Sequence, residues 1–66
     1  MELTITEFKV RIDDRNGMEP TMWITVPAET NEEAKQDAVN DYLAWFPETD
    51  PVATQTVELN SKTIKL

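Results

Sequence analysis

The chain has 66 residues, with 13 acids against 6 bases for a net charge of −7, and neither histidine nor cysteine. That length allows one domain, residues 1–66, with a modest core, because a chain this short buries only about 60% of the surface its unfolded form exposes. The missing residue types nearly exclude structural zinc or copper sites and rule out any Ser-His or Cys-His nucleophile, and the shortage of bases argues against direct contact with DNA, RNA or an anionic membrane.

The opening "MELTITEF" carries acid where a secretory signal needs base, and it alternates instead of running apolar. No stretch approaches the roughly 20 apolar residues of a membrane span. The expectation is a soluble protein of the cytoplasm. In this first segment Leu3 and Ile5 share one parity, while Phe8, Val10 and Ile12 share the other. A strand that keeps one buried face then needs a β-bulge or a bend near Thr6-Glu7. The alternative is that its first residues cross to a different neighbour.

"DDRNGM" predicts a hairpin. A two-residue loop at Asn16-Gly17 pairs Val10 with Trp23 and leaves Met22 and Ile24 on the wrong face. A three-residue loop pairs Asp14 with Met18, Val10 with Met22 and Phe8 with Ile24, which collects the apolar residues on one face. It also suits a type I turn with Asp at its start and Gly supplying positive φ at its end. The second strand runs from about Thr21 to Val26 with Met22, Ile24 and Val26 inward. Pro20 belongs at its start or on an edge, and Trp23 has outward parity.

"ETNEE" reads as a helix start, with Thr30 as N-cap and Glu33 completing a capping box. The helix is predicted from Asn31 to about Phe46, ahead of Pro47. Ala34, Ala38, Tyr42 and Trp45 form its apolar stripe, widened by Val39 and Phe46. After the turn "PETDPVA", the segment "TQTVELNSKTIKL" is β-rich with a second phase change at Asn60-Ser61. Either one long strand bulges there or a tight turn makes a short fourth strand. The expected fold is α+β: a small antiparallel sheet of three strands, or four, in the order β-β-α-β(-β), with one helix on one face. Thr4, Thr21, Trp23 and Thr25 would line the open face.

Charge is concentrated in the middle of the chain. Residues 27–51 hold seven acids and one base, whereas residues 52–66 hold one acid and two bases. Glu33, Asp37 and Asp41 recur at i, i+4, i+8, about 6 Å apart along a helix axis. Glu29 and Glu32 stand before and in the first turn, and Glu48 and Asp50 follow in the loop. Acids in a first turn stabilise a helix, but Asp41 lies toward the end where the dipole disfavours negative charge. Like charges at i, i+4 cost about 0.2–0.5 kcal/mol per pair. Two readings compete. One is a solvated face that keeps a small protein in solution. The other is a row of carboxylates standing in for a phosphate backbone, suited to the basic groove of a nucleic-acid-binding protein. Trp23 is either half-covered by its neighbours or an interface anchor, a role in which Trp is enriched. "DDRNG" carries part of a calcium loop without its spacing or closing glutamate, and local turn hydrogen bonds account for it. No cofactor or metal site is expected, nor an enzyme.

In size, acidity and β-β-α-β layout the chain resembles the small acidic inhibitors encoded by phages, above all the anti-CRISPR proteins, several of which mimic DNA. The resemblance covers the whole chain and rests on no shared motif; "TVPAETNEEAKQDAV", strand then capped helix, also recurs in unrelated small domains. It implies a monomer or weak dimer that binds a CRISPR surveillance complex, or another basic nucleic-acid-binding protein, where target DNA enters. The residues expected to make that contact come from charge geometry: Glu29, Glu32, Glu33, Asp37, Asp41, Glu48 and Asp50, with Trp23 as an anchor. The runner-up is a structural or adaptor domain that binds a protein through its open sheet face or an edge strand.

Overall fold

Alternation from Thr6 to Ile12 determines the centre of the sheet. In the computed structural model, which describes Met1–Leu66, the chain forms β1 (Glu2–Asp14), β2 (Met22–Ala28), α1 (Asn31–Trp45) and β3 (Pro51–Lys65). The three strands make one antiparallel sheet in the order β2-β1-β3. The apolar residues of β1, inward residues of β2 and small residues of α1 meet in a core of Phe8, Val10, Ile12, Ile24, Val26, Ala28, Ala34, Ala38 and Tyr42. Met22, Val39, Phe46 and Ala53 pack around it. The architecture is the small α+β fold expected, with one helix on one face.

The hairpin register differs from the expectation. Ile12 pairs with Met22, Val10 with Ile24 and Phe8 with Val26. The shift is two residues, so every side chain keeps its expected face. The turn itself is present: the Gly17 N–H donates to the Asp14 carbonyl at 3.0 Å, and Gly17 has φ 68°. It does not close the hairpin, because the Asp14 carboxylate accepts backbone N–H groups from Asn16, Met18 and Glu19. Pro20 follows and has no N–H to give. Strand pairing therefore resumes only at Met22, and Pro20 lies in the loop. Pro27 does pair, opposite Glu7, on the outer strand where its missing donor is tolerated.

The helix starts at Asn31 as predicted, with Thr30 as N-cap and its hydroxyl accepting the Glu33 N–H at 3.2 Å, but the return bond from the Thr30 N–H to the Glu33 carboxylate that would complete a capping box is not formed. It ends one residue early, at Trp45, with Phe46 as the cap. Trp45 does not join the buried stripe. Phe46 closes that end of the core instead, its ring 5.0 Å from that of Tyr42.

The two phase changes in the sequence face each other across one strand pair. Thr6 pairs with Ser61 and Phe8 with Glu58, so Leu59 and Asn60 together oppose Glu7. The extra residue belongs to β3, and β1 runs without interruption against β2 through Thr6, Glu7 and Phe8. β3 is one continuous strand, so the fourth-strand alternative does not hold. β2 ends opposite Thr6, and beyond that level β1 and β3 continue as a two-stranded ribbon. The molecule is accordingly long, 44 × 18 × 14 Å. Its radius of gyration of 13.0 Å exceeds the about 11 Å expected for a compact chain of this length.

Candidate functional site

Three surfaces are candidates: the acidic helix layer, the open face of the sheet, and a cleft between two loops. The helix layer holds the predicted carboxylates. Glu29 is exposed in the β2–α1 turn, Glu32, Glu33 and Asp41 are exposed on α1, Asp37 is half-buried, and Glu48 is exposed in the α1–β3 loop. Glu32 meets Lys35 at 3.6 Å. Asp50 meets Arg15 at 3.6 Å, and its backbone N–H is held by Asp14. Glu29, Glu33, Asp37, Asp41 and Glu48 have no ion-pair partner, since the remaining ion pair joins Arg11 to Asp13.

Trp23 is not brought to these acids. It alternates with the core residue Ile24 on β2, which puts it on the sheet face away from α1, 41% exposed. Lys9 lies over its ring, 4.9 Å from the centroid, a cation–π contact worth about 0.5–1 kcal/mol at an exposed site. The open face also differs from expectation. Thr25, opposite Lys9, belongs to it. Thr4 does not: it shares the parity of Thr6 and faces Thr63 across the ribbon. Thr21 sits in the loop and donates its hydroxyl to Asp13. The face is more apolar than the threonines suggested, because the bulge leaves Leu3 paired with Ile64 and Val57 with Lys9 on the same side as Trp23. The signal was in the sequence: the odd parity of Leu3 and Ile5 places them opposite the core residues of their own strand.

The cleft has a volume of about 310 Å³ and is lined by Met18 and Glu19 on the β1–β2 loop and Trp45 to Thr49 at the end of α1. Asp14 builds it. This carboxylate is buried at the end of β1 and accepts four backbone N–H groups, from Asn16, Met18 and Glu19 on one loop and Asp50 on the other. A second tie runs from the Arg15 N–H to the Asp50 carbonyl at 2.9 Å. The Phe46 carbonyl accepts both the Thr49 N–H and its hydroxyl, which folds Pro47 and Glu48 back over the helix end.

The electrostatics of this end follow from those bonds. The Asp50 N–H, then those of Asn16, Glu19 and Met18, hold the Asp14 carboxyl below its ordinary range against the opposing effect of burial. The Thr21 and Thr54 hydroxyls, with Arg11, do the same for Asp13. Tyr42 donates its phenol to the Pro20 carbonyl at 3.0 Å. Its pKa is pushed up first by burial and then by the charges of Asp14, Glu19 and Asp13. Sequence reasoning gave Asp14 only the role of a turn residue and placed Trp45 in the core. The Asp-x-Asn-Gly spacing signals a local turn, but nothing in it signals the reach to Asp50.

No group of three or more acidic side chains converges closely enough to hold a metal ion. No helix is long and apolar enough to cross a membrane. No protein family, curated protein or solved structure matches the chain.

Proposed function

We propose that this protein is a non-enzymatic inhibitor, acting in the cytoplasm of a bacterial host in the manner of the anti-CRISPR proteins it resembles. It would occupy a basic DNA-binding site on a protein partner, such as a surveillance complex, through the α1 layer. One observation carries the reading: five carboxylates, Glu29, Glu33, Asp37, Asp41 and Glu48, share that layer without an ion-pair partner, and the one base on α1, Lys35, is paired with Glu32. Lys9, Arg11 and Lys62 lie on the opposite face of the sheet or on the ribbon, so only Lys35 and Arg15, each already paired with an acid, offset the negative field of the layer at short range. A field of this kind speeds encounter with a basic surface and makes binding salt-sensitive. The test is capture from nuclease-treated bacterial lysate across a salt series. A nucleic-acid-binding complex that elutes over a few hundred millimolar salt, and that free DNA displaces, is the expected result. Asp37→Lys with Asp41→Lys should abolish that capture in a folded protein; retention by the double variant would overturn the reading.

A second reading is favoured by a separate observation. Trp23, Val57, Leu59 and Ile64 are all exposed, Leu59 to 47%, and Trp23, Val57 and Ile64 lie on the open sheet face. An adaptor domain that binds a protein through this face would lose its partner on Trp23→Ala, keep it on reversal of the helix acids, and hold it through high salt.

A further inference from the structure

The geometry points to the cleft between the β1–β2 loop and the end of α1 as a receptor for one cationic side chain, arginine foremost, presented by a protein partner. The inference deepens the proposed function by naming an anchor, and rests on that reading only for the partner being basic.

The cleft walls supply two kinds of contact. Trp45 and Met18 are 56% and 78% exposed, although both are large and apolar and both line a concave surface. Phe46 is engaged with Tyr42, so the Trp45 indole is the aromatic surface left for a ligand. Glu19 and Glu48 line the same cleft, and neither has an ion-pair partner. The helix adds to this. It ends here with no basic residue in its last turn, and a helix C-terminus carries roughly half a negative charge.

An apolar occupant would strip water from the two glutamates without replacing its hydrogen bonds, and an anion would be repelled. A guanidinium meets both requirements, because it stacks on an indole and offers a fork of donors to carboxylates while being weakly hydrated. The chain supplies no such group itself: Arg15 is paired with Asp50, Lys35 with Glu32 and Arg11 with Asp13, Lys9 lies over Trp23 on the far face, and Lys62 and Lys65 are on the ribbon at the other end of the sheet. At about 310 Å³ the cleft is at the low end of small-ligand pockets, about 300–1,000 Å³, which suits one long side chain. The walls are also set in advance. Asp14 ties both loops together, so little ordering is left for binding to oppose.

The test is an NMR titration of the full chain, at low salt, with the capped peptide Gly-Gly-Arg-Gly-Gly. The control peptide carries citrulline, which keeps the shape and loses the charge. The expected result is saturable shifts at the Trp45 indole and the amides of Met18, Glu19 and Glu48, weak or absent with citrulline. Trp45→Leu should weaken the arginine peptide by about 2- to 30-fold, the range of a cation–π contact, and Glu19→Gln with Glu48→Gln should reduce it further. Spectral dispersion checks that each variant folds, and both sites are at the surface. Equal shifts with citrulline, shifts confined to Glu33, Asp37 and Asp41, or no shifts at all would overturn the inference. The middle outcome would leave the acidic helix reading standing. Cleft binding by arginine, together with no nucleic-acid-binding partner in the lysate capture, would count against the inhibitor reading alone.

Discussion

Asp37 belongs to two like-charged pairs at once, with Glu33 one turn before it and Asp41 one turn after. Each such pair destabilises a helix by about 0.2–0.5 kcal/mol at low salt, so Asp37→Asn, which removes both, should stabilise the fold by about 0.4–1 kcal/mol. Asparagine is nearly the same size and has nearly the same helix propensity as aspartate, and Asp37 makes no hydrogen bond or ion pair that the change would break. For a domain of this size a gain of that order raises Tm by about 2–8 °C. Thermal unfolding followed by circular dichroism at about 10 mM and about 1 M salt reads both the gain and its origin. At 1 M the screening length falls to about 3 Å, half the roughly 6 Å axial spacing of the stripe, and the gain should largely vanish. An unchanged or lower Tm at low salt, or an equal rise at both salts, would refute the reasoning. The stripe would then impose no strain, and the argument that its charge serves binding at the expense of stability would lose its footing.

Stability should fall on the acid side, and Asp14 should be a principal cause. Asp13 and Asp14 are both held below their ordinary value of 3.8. Between the folded and unfolded values the unfolded chain binds more protons, so their contribution is complete above the unfolded value and is lost as pH drops through the folded ones. Asp14→Asn should lower the urea midpoint at neutral pH and flatten its decline as the pH falls through and below the ordinary value of 3.8; an unaltered acid limb would contradict the role given to this carboxylate. Thr30→Ala should destabilise the fold by about 1 kcal/mol through loss of the N-cap bond, seen as a lower urea midpoint with the slope unchanged. In hydrogen exchange, the amides of residues 2–5 and 62–65 in the ribbon should exchange far faster than those of Val10 and Ile24, because fewer buried contacts oppose local opening there; uniform protection would refute the distinction.

How much of this was legible depended on whether the cause was local. Alternation in Phe8-Val10-Ile12 and Met22-Ile24-Val26, and the Thr30 N-cap, are set by side chains within one element, and they form as read, although Glu33 does not complete the capping box. The hairpin register departs from the sequence expectation because the Asp-x-Asn-Gly turn forms without closing the strands. What lengthens the loop is a carboxylate taking three further N–H groups and a proline that gives none. Trp45 was misplaced because helical periodicity says which way a side chain points, not whether a strand lies beneath it. The carboxylates of the helix layer were found from spacing, which is why they are where the sequence puts them. The cleft was not, because Glu19 and Glu48 are separated by 28 intervening residues and are brought together only through Asp14 and Asp50.

The lengths of the elements explain the two phase changes and, with them, the exposed apolar residues. The 13 residues of β1 extend about 43 Å at 3.3 Å each, whereas the 15 residues of α1 extend only about 22 Å. The helix starts just after β2 ends opposite Thr6, and its last turns reach the other end of the sheet, where Tyr42 meets Pro20. It can therefore cover β1 only from about Thr6 to Asp14. Below that level the helix side of the ribbon has nothing above it, and Thr4 and Thr63 occupy it. An apolar residue there would gain no cover from α1. Leu3, Ile5 and Ile64 instead turn to the opposite side, where Leu3 and Ile64 stand directly opposite each other. The bulge at Leu59-Asn60 shifts the parity of β3 at the level where the apolar residues of β1 change theirs, so Val57 before it and Ile64 after it stand on the same open face. The apolar residues on the ribbon part of the open face thus follow from a short helix on long strands, whereas Trp23 and Val57, opposite Arg11 and Lys9, lie at the level the helix covers and do not. Asp37 and Asp41, unpaired and beyond the first turn of α1, have no such structural cause, which is why the inhibitor reading rests on them.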